Sequence, residues 1–212
     1  MTSILILGAT GQVGQALLAL ALATPAIDRV VAPTRRPLPI HPKLENPIVE
    51  FDHLPSDAAW WKTDIALCAL GTTLRQAKSR AGFYLVDHDF VLKAAHLTQQ
   101  AGTPVFGLVS SLGAHPSSRV FYLRVKGETE RDITALAFPS TVCIRPSLLI
   151  GGPRAQGRPL EAAGLWAGKV LSGLLPHRYR AVTTEAVART LFDACLAAQP
   201  GVHIIESEAI HG

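Results

Sequence analysis

Tyr122 and Lys126 stand four residues apart in a stretch, 119–136, that reads as a helix, so a phenol and an ammonium share one helix face. A phenol with a pKa of about 10 moves protons poorly at neutral pH. A neighbouring ammonium favours the phenolate and brings the group toward its working range. A serine hydroxyl beside the pair would steady a carbonyl oxygen as charge develops on it. Ser110 and Ser111 close the strand ahead of this helix, and spacing alone does not choose between them. The chemistry such a set performs is proton transfer to or from an alcohol or carbonyl oxygen.

A second constellation lies at the start of the chain. Residues 8–14 read GATGQVG, between an apolar run at 3–7 and an alanine- and leucine-rich helix at 12–23. Gly8 permits a tight turn off the strand, Gly11 lets a pyrophosphate approach the backbone, and Gly14 lets the helix pack close. Thr10, Gln12 and Val13 complete the loop, whose helix N-terminus offers free N–H groups and a positive dipole end to phosphates. The cofactor expected is a nicotinamide dinucleotide. An NAD site places Asp or Glu about 20 residues beyond the glycines. Here residues 31–36 read VAPTRR, no acidic residue lies between Asp28 and Glu45, and Asp28 sits at the wrong end of its strand. A guanidinium suits a 2′-phosphate. Arg35 first and Arg36 second are therefore expected to bind NADP(H), with NAD(H) the weaker candidate.

These groups need a scaffold. Strands are expected at 3–7, 29–33, 48–51, 64–70, 105–109, 141–144 and 202–206. Helices are expected at 12–23, 57–62, 82–100, 119–136 and 184–198, and a glycine-spaced helix or helix–loop at 157–173. Residues 35–47 hold four prolines and read as a loop. Apolar strands alternating with helices predict an α/β fold, a doubly wound parallel sheet with helices on both faces. One dinucleotide-binding domain is expected over 1–212, with 151–212 a short substrate-side extension of it.

The chain has 212 residues, 48% of them hydrophobic and 17% charged, which excludes a disordered protein. A net charge of +4 with no basic run longer than Arg35–Arg36 gives no nucleic-acid-binding stripe. Cys68, Cys143 and Cys195 lie far apart, as buried thiols would, with no metal-ligand spacing. No metal site is expected among the eight scattered histidines, and no GxSxG elbow occurs. His88 and Asp89 read as a solvated helix face, and Trp60 and Trp61 as a cap on the core. The apolar start, 1–24, has no basic residue before Arg29 and is split by glycines, so neither a signal peptide nor a membrane span is expected. The location expected is cytoplasmic.

The ordered set of segments GATGQVG, CALGTT (68–73), YLVDHDFVLKAA (84–95), LVSSLGA (108–114), FYLRVKGE (121–128), IRPSLLIGGP (144–153) and ESEAIH (206–211) resembles the atypical short-chain dehydrogenase/reductases. Within them it is most similar to the Tat-interacting oxidoreductase family and its bacterial relatives. The resemblance implies that Leu70, Gly71, Thr72 and Thr73 line the cofactor and that Asp52 and His53 lie near the adenine. It implies that Pro146, Ser147 and Leu148 flank the nicotinamide. Tyr122 would be the proton donor or acceptor, Lys126 its partner and a ribose ligand, and Ser111 the oxyanion and substrate contact, with Ser110 the alternative. Many extended relatives carry an asparagine early in the long central helix, where this chain has Asp87. The expectation is an NADP(H)-dependent oxidoreductase acting on a small carbonyl or alcohol, as a monomer or homodimer. The competing readings are an NADP(H)-binding regulator with little turnover and an epimerase or dehydratase, the latter disfavoured by the short C-terminal region.

Overall fold

The computed structural model describes residues 2–151 and 176–210. Ile4, Leu5, Ile6 and Leu7 are all inaccessible to solvent, so Thr2–Leu7 (β1) is a strand without a wet face. Ile4 and Ile6 point into one core layer, Leu5 and Leu7 into the other, as the two-residue period of a strand requires. The further strands are β2 (Ile27–Val31), β3 (Leu44–Glu45), β4 (Ile65–Cys68), β5 (Val105–Val109), β6 (Ser140–Arg145), β7 (Leu149–Ile150), β8 (Val182–Thr183) and β9 (Gly201–Glu206). Among the described residues, seven of them form one parallel sheet in the order β3-β2-β1-β4-β5-β6-β9, and β7 and β8 pair separately. The order reverses between β1 and β4, and in such sheets ligands bind at that switch point, outside the carboxyl ends of the strands.

Among the described residues the α-helices are α1 (Gln12–Ala23), α2 (Leu74–Ala77), α3 (Arg80–Tyr84), α4 (Phe90–Gln100), α5 (Phe121–Ala135) and α6 (Thr184–Ala197). Helices α1 and α6 bury Leu17, Ala21, Val187, Leu191 and Cys195 in one layer. Helices α4 and α5 bury Val91, Ala94, Ala95 and Ile133 in the other. The doubly wound sheet expected from the sequence is therefore present.

Four local expectations change. The third strand is Leu44–Glu45, not 48–51. Leu44 and Glu45 lie between Pro42 and Pro47, and their carbonyl edge meets β2, where Val30 N–H and Ala32 N–H donate to Lys43 and Glu45 at 2.8 and 2.9 Å. Ile48 keeps only a bridge to Thr34. The second strand begins at Ile27, because Ile27 pairs with Thr2. The helix expected at 82–100 starts two residues earlier and contains a wider π turn, Leu85–Asp89. The short helix expected at 57–62 is a 3-10 turn, Ala59–Trp61, and both tryptophans are buried as expected, Trp61 donating its ring N–H to Pro55 O at 2.7 Å. The expected segment 157–173 lies outside the described residues.

Asp64 ties the start of β4 to β1, accepting from Ser3 N–H and Ser3 Oγ at 2.7 Å each. These Ser3 hydrogen bonds hold its carboxyl below the ordinary value of 3.8. A lowered carboxyl contributes stability above its unfolded pKa and loses it as pH falls through the folded value. Asp64→Asn is therefore expected to melt at a lower temperature than the unsubstituted protein at pH 7. The difference should shrink below about pH 4, which paired thermal melts at neutral and acid pH will show.

Candidate active site

The loop after β1 closes on itself through Gly11 N–H to Gly8 O at 2.9 Å. Gly8 has φ +84°, and a Cβ there would sit 2.7 Å from Ala69 and Leu70 backbone atoms at the end of β4. A Cβ on Gly14 would lie 2.0 Å from Gly8 O. Helix α1 can seat against the loop only because that atom is missing. The helix starts with no side-chain cap and no acidic residue in its first turn. Its leading N–H groups, from Gln12 and the buried Val13, are thus offered to an anion. Thr10 is exposed beside them, its carbonyl accepting from Gln15 Nε2 at 3.1 Å. This open backbone cradle fits the pyrophosphate of a dinucleotide.

Arg35 and Arg36 are exposed just beyond β2. Their segment is held by Thr34, whose Oγ1 donates to Arg36 O at 2.6 Å, and by Asn46, whose amide donates to Ala32 O at 2.5 Å and Thr34 Oγ1 at 2.8 Å. Asn46 was not singled out in the sequence, because its role is visible only once the proline-rich segment folds back onto β2. Asp28 accepts from Thr2 N–H at 2.8 Å, at the amino end of β2 and away from the glycine cradle. Asp52 and His53 pair with each other at 3.1 Å on an exposed turn. Thr73 uses its hydroxyl to cap α2, accepting from Gln76 N–H at 3.2 Å.

Tyr122 and Lys126 lie on α5 as the spacing predicts. The Tyr122 ring packs on Phe83 at 5.5 Å between centroids. Lys126 is buried, and its Nζ lies 2.8 Å from Asp87 Oδ1. The other oxygen of Asp87, Oδ2, accepts from Thr72 N–H at 2.8 Å. Asp87 is itself 1% exposed, placed inward by the π turn, and its carbonyl accepts from Thr129 Oγ1 at 3.0 Å. Burial works against the Lys126 ammonium, but the Asp87 carboxylate and Tyr122 outweigh it and hold the group above its ordinary value of 10.5. The loop after β5 is pinned to β6 by Ser110 N–H to Ile144 O at 2.8 Å and Leu112 N–H to Pro146 O at 2.9 Å. Ser110 is buried, and its hydroxyl has no partner among the described residues. Ser111 is half-buried.

Arg145 locks α5 to the sheet. It forks onto Glu130 at 3.0 and 2.6 Å and reaches Glu206 of β9 at 2.7 Å. Pro146 follows, buried, and Ser147 bonds to Arg180 O and Ser207 Oγ. Leu148 is 68% exposed. The structure thus gathers the glycine loop, Leu70–Thr72, Ser110–Ser111, Lys126 and Pro146–Ser147 along the carboxyl edge of the sheet. Asp52 and His53 stand on their own turn. One expectation fails on the same helix. His88 is not a solvated residue but is buried, with Nδ1 2.8 Å from Asp89 and Nε2 2.9 Å from Asp132 of α5. The π turn shifts the helix face and sends Asp87 and His88 inward together. Cys68, at the end of β4, is fully buried, which pushes its thiol up to about 12 and leaves it inert.

No family model matches the chain. It is 35% identical to Protein HTATIP2 of Rattus norvegicus over 217 residues, covering 98% of this chain and 87% of that protein. It is 36% identical to Protein fmp52, mitochondrial, of Aspergillus fumigatus over 216 residues, covering 95% and 90%. The chain belongs to the HTATIP2 and fmp52 group of atypical short-chain dehydrogenase/reductases. Among solved structures it is similar to MoeE5 in complex with UDP-glucose and NAD, with TM-score 0.73 and 16% identity, covering 96% of this chain and 75% of that one. The oxidoreductase ylbE of Lactococcus lactis gives TM-score 0.68 and 18% identity, covering 99% and 95%. These two likenesses show the shared fold. The expected cytoplasmic location is corrected by the relatives, since the fungal proteins at 33–36% identity carry mitochondrial names. The lack of a basic residue before Arg29 says nothing of other import routes. Among the described residues no helix is long and apolar enough to cross a membrane.

Proposed function

We propose that the chain is an NADP(H)-dependent oxidoreductase that moves a hydride to or from a small carbonyl or alcohol, with Tyr122 as the proton donor or acceptor. The observation that carries this reading is a buried, ion-paired Lys126 one helical turn from Tyr122, on the sheet edge that holds the glycine cradle and Ser110, whose hydroxyl has no partner among the described residues. The solved neighbours in complex with NAD, and the oxidoreductase ylbE, support a nicotinamide dinucleotide in that cradle.

The loop Gly8–Gly14 would hold the pyrophosphate, with Thr10, Gln12 and Val13 donating from backbone or side chain. Leu70, Gly71, Thr72 and Thr73 would line its β4 side. Pro146, Ser147 and Leu148 would flank the nicotinamide, and Asp52 and His53 the adenine. Hydride donation or acceptance is the chemistry the bound nicotinamide supplies. Tyr122 gives its hydroxyl proton to the substrate oxygen, or takes one in reverse. Lys126 orients the ribose and sets the charge beside the phenol. Ser111, the more accessible serine, donates to the substrate oxygen as charge grows there, and the Ser110 hydroxyl closes the cofactor side.

A carbonyl panel followed by NADPH absorbance tests the reading. Turnover on any member supports it, whereas tight NADPH binding with no turnover across the panel turns the site into a regulatory sensor. For the cofactor, Arg35→Ala should weaken NADPH by about 10- to 100-fold, the worth of a charge-assisted contact, and leave NADH nearly unchanged. Equal losses for both, measured by calorimetry, would remove Arg35 from the 2′-phosphate.

A further inference from the structure

Phe121, one residue ahead of Tyr122, carries two guanidiniums. Arg80 of α3 lies over its ring at 5.2 Å from the centroid, and Arg124 of α5 at 5.6 Å. Phe83 packs on both Phe121 and Tyr122, at 5.9 and 5.5 Å between centroids, so the arginine pair and the phenol share one aromatic wall. Like charges gathered at one ring repel, and the described residues do little to offset them. Arg124 donates to Ser118 O at 3.2 Å, but its carboxylate neighbour, Glu128, stands off at 3.9 Å and also lies beside the Tyr84 hydroxyl. Arg80 is exposed, with no carboxylate in ion-pair contact among the described residues. Arg124 also stands in the first turn of α5, which holds no acidic residue, and a cation is disfavoured at that end of a helix.

The surroundings have the same sign. Residues 65–86 and 90–127 contain no Asp or Glu. They include the connections that leave the carboxyl ends of β4 and β5, which carry Arg75, Lys78, Arg80 and Arg119. Ligands of such a sheet bind along that edge, and one sign of charge lining a cleft draws in the other.

We propose that Arg80 and Arg124 form an anion anchor beside Tyr122, so that the substrate is a small aldehyde or ketone that also carries a carboxylate or phosphate. This rests on the reading of Tyr122 as the group that exchanges a proton with the substrate oxygen. Each guanidinium offers a planar fork of N–H donors that matches an oxyanion. The anion relieves the repulsion between the two and fixes one end of the substrate while its carbonyl meets Tyr122. The Phe121 ring face attracts both guanidiniums, so less side-chain freedom is lost on binding.

The test compares straight-chain aldehydes of graded length that end in a carboxylate, in a phosphate or in a methyl group, by NADPH absorbance. For one charged set, kcat/KM should exceed that of the uncharged aldehyde of the same length by about 10-fold or more, the worth of hydrogen bonds to a charged group. Whichever set is preferred names the anion. The ratio should fall toward one in Arg80→Met with Arg124→Met, and the single variants cover any failure of the pair to fold. Equal use of charged and uncharged aldehydes, or a preference that survives both substitutions, overturns the proposal. If no aldehyde is reduced, the reading of the activity fails, and calorimetry decides the anchor by itself. Alkyl carboxylates and alkyl phosphates are then titrated into the protein with NADPH present to fill the cofactor's own phosphate sites. Binding of either that weakens by about 10-fold or more in the double variant supports the anchor, and no binding, or equal binding by the variant, overturns it.

Discussion

Tyr122→Phe is expected to lower kcat for carbonyl reduction by about 10²- to 10⁴-fold, the usual worth of a positioned general acid, and to leave NADPH affinity within about threefold. The ring stays, so its packing on Phe83 stays. Lys126 keeps Asp87, so the buried ammonium keeps its partner. Only the hydroxyl is lost, and with it the proton that must reach the substrate oxygen. A fall in kcat and kcat/KM together, with binding intact by calorimetry, is the signature of a group acting only in the transition state. Unchanged turnover in the variant would take the proton-transfer role away from Tyr122.

Gly14→Ala should be as severe on the binding side. The added Cβ would meet Gly8 O at 2.0 Å, Gly8 C at 2.7 Å and Ala9 Cα at 3.0 Å, all backbone atoms that no side-chain rotation can clear. Either α1 lifts from the sheet or the loop opens, and both spoil the anion cradle. Overpacking of this kind costs about 1–3 kcal/mol, occasionally more. Dinucleotide affinity is expected to fall by about 100-fold or more, because several backbone donors lose their aim together. The melting temperature should fall as well. Affinity equal to that of the unsubstituted protein would mean that the phosphates do not sit on this loop.

The parts of the site that could be read from the sequence are those whose geometry is local. Gly8, Gly11 and Gly14 report a strand–loop–helix turn from spacing alone. Tyr122 and Lys126 share a face because four residues make about one turn of α-helix. Asp87 needed the fold. Its position in the chain was visible, but its partner lies 39 residues away on α5, and the π turn that aims it has no signature in composition. His88 was misread for the same reason, since a regular helical period would leave it on the wet face. Leu44–Glu45 was hidden among prolines because a two-residue edge strand is defined by its neighbour β2 and by no pattern of its own. Where the protein resides was not legible in the residues at all, and only the names of its relatives bear on it.

The account depends on a nicotinamide dinucleotide seated at the glycine loop. Isothermal titration of the full chain with NADPH and NADH tests this directly. Saturable one-to-one binding is predicted for NADPH, weaker binding for NADH, and for both a loss of about 100-fold or more in folded Gly14→Ala. The absence of binding heat for both coenzymes, at more than one temperature and with the unsubstituted protein folded, would contradict it.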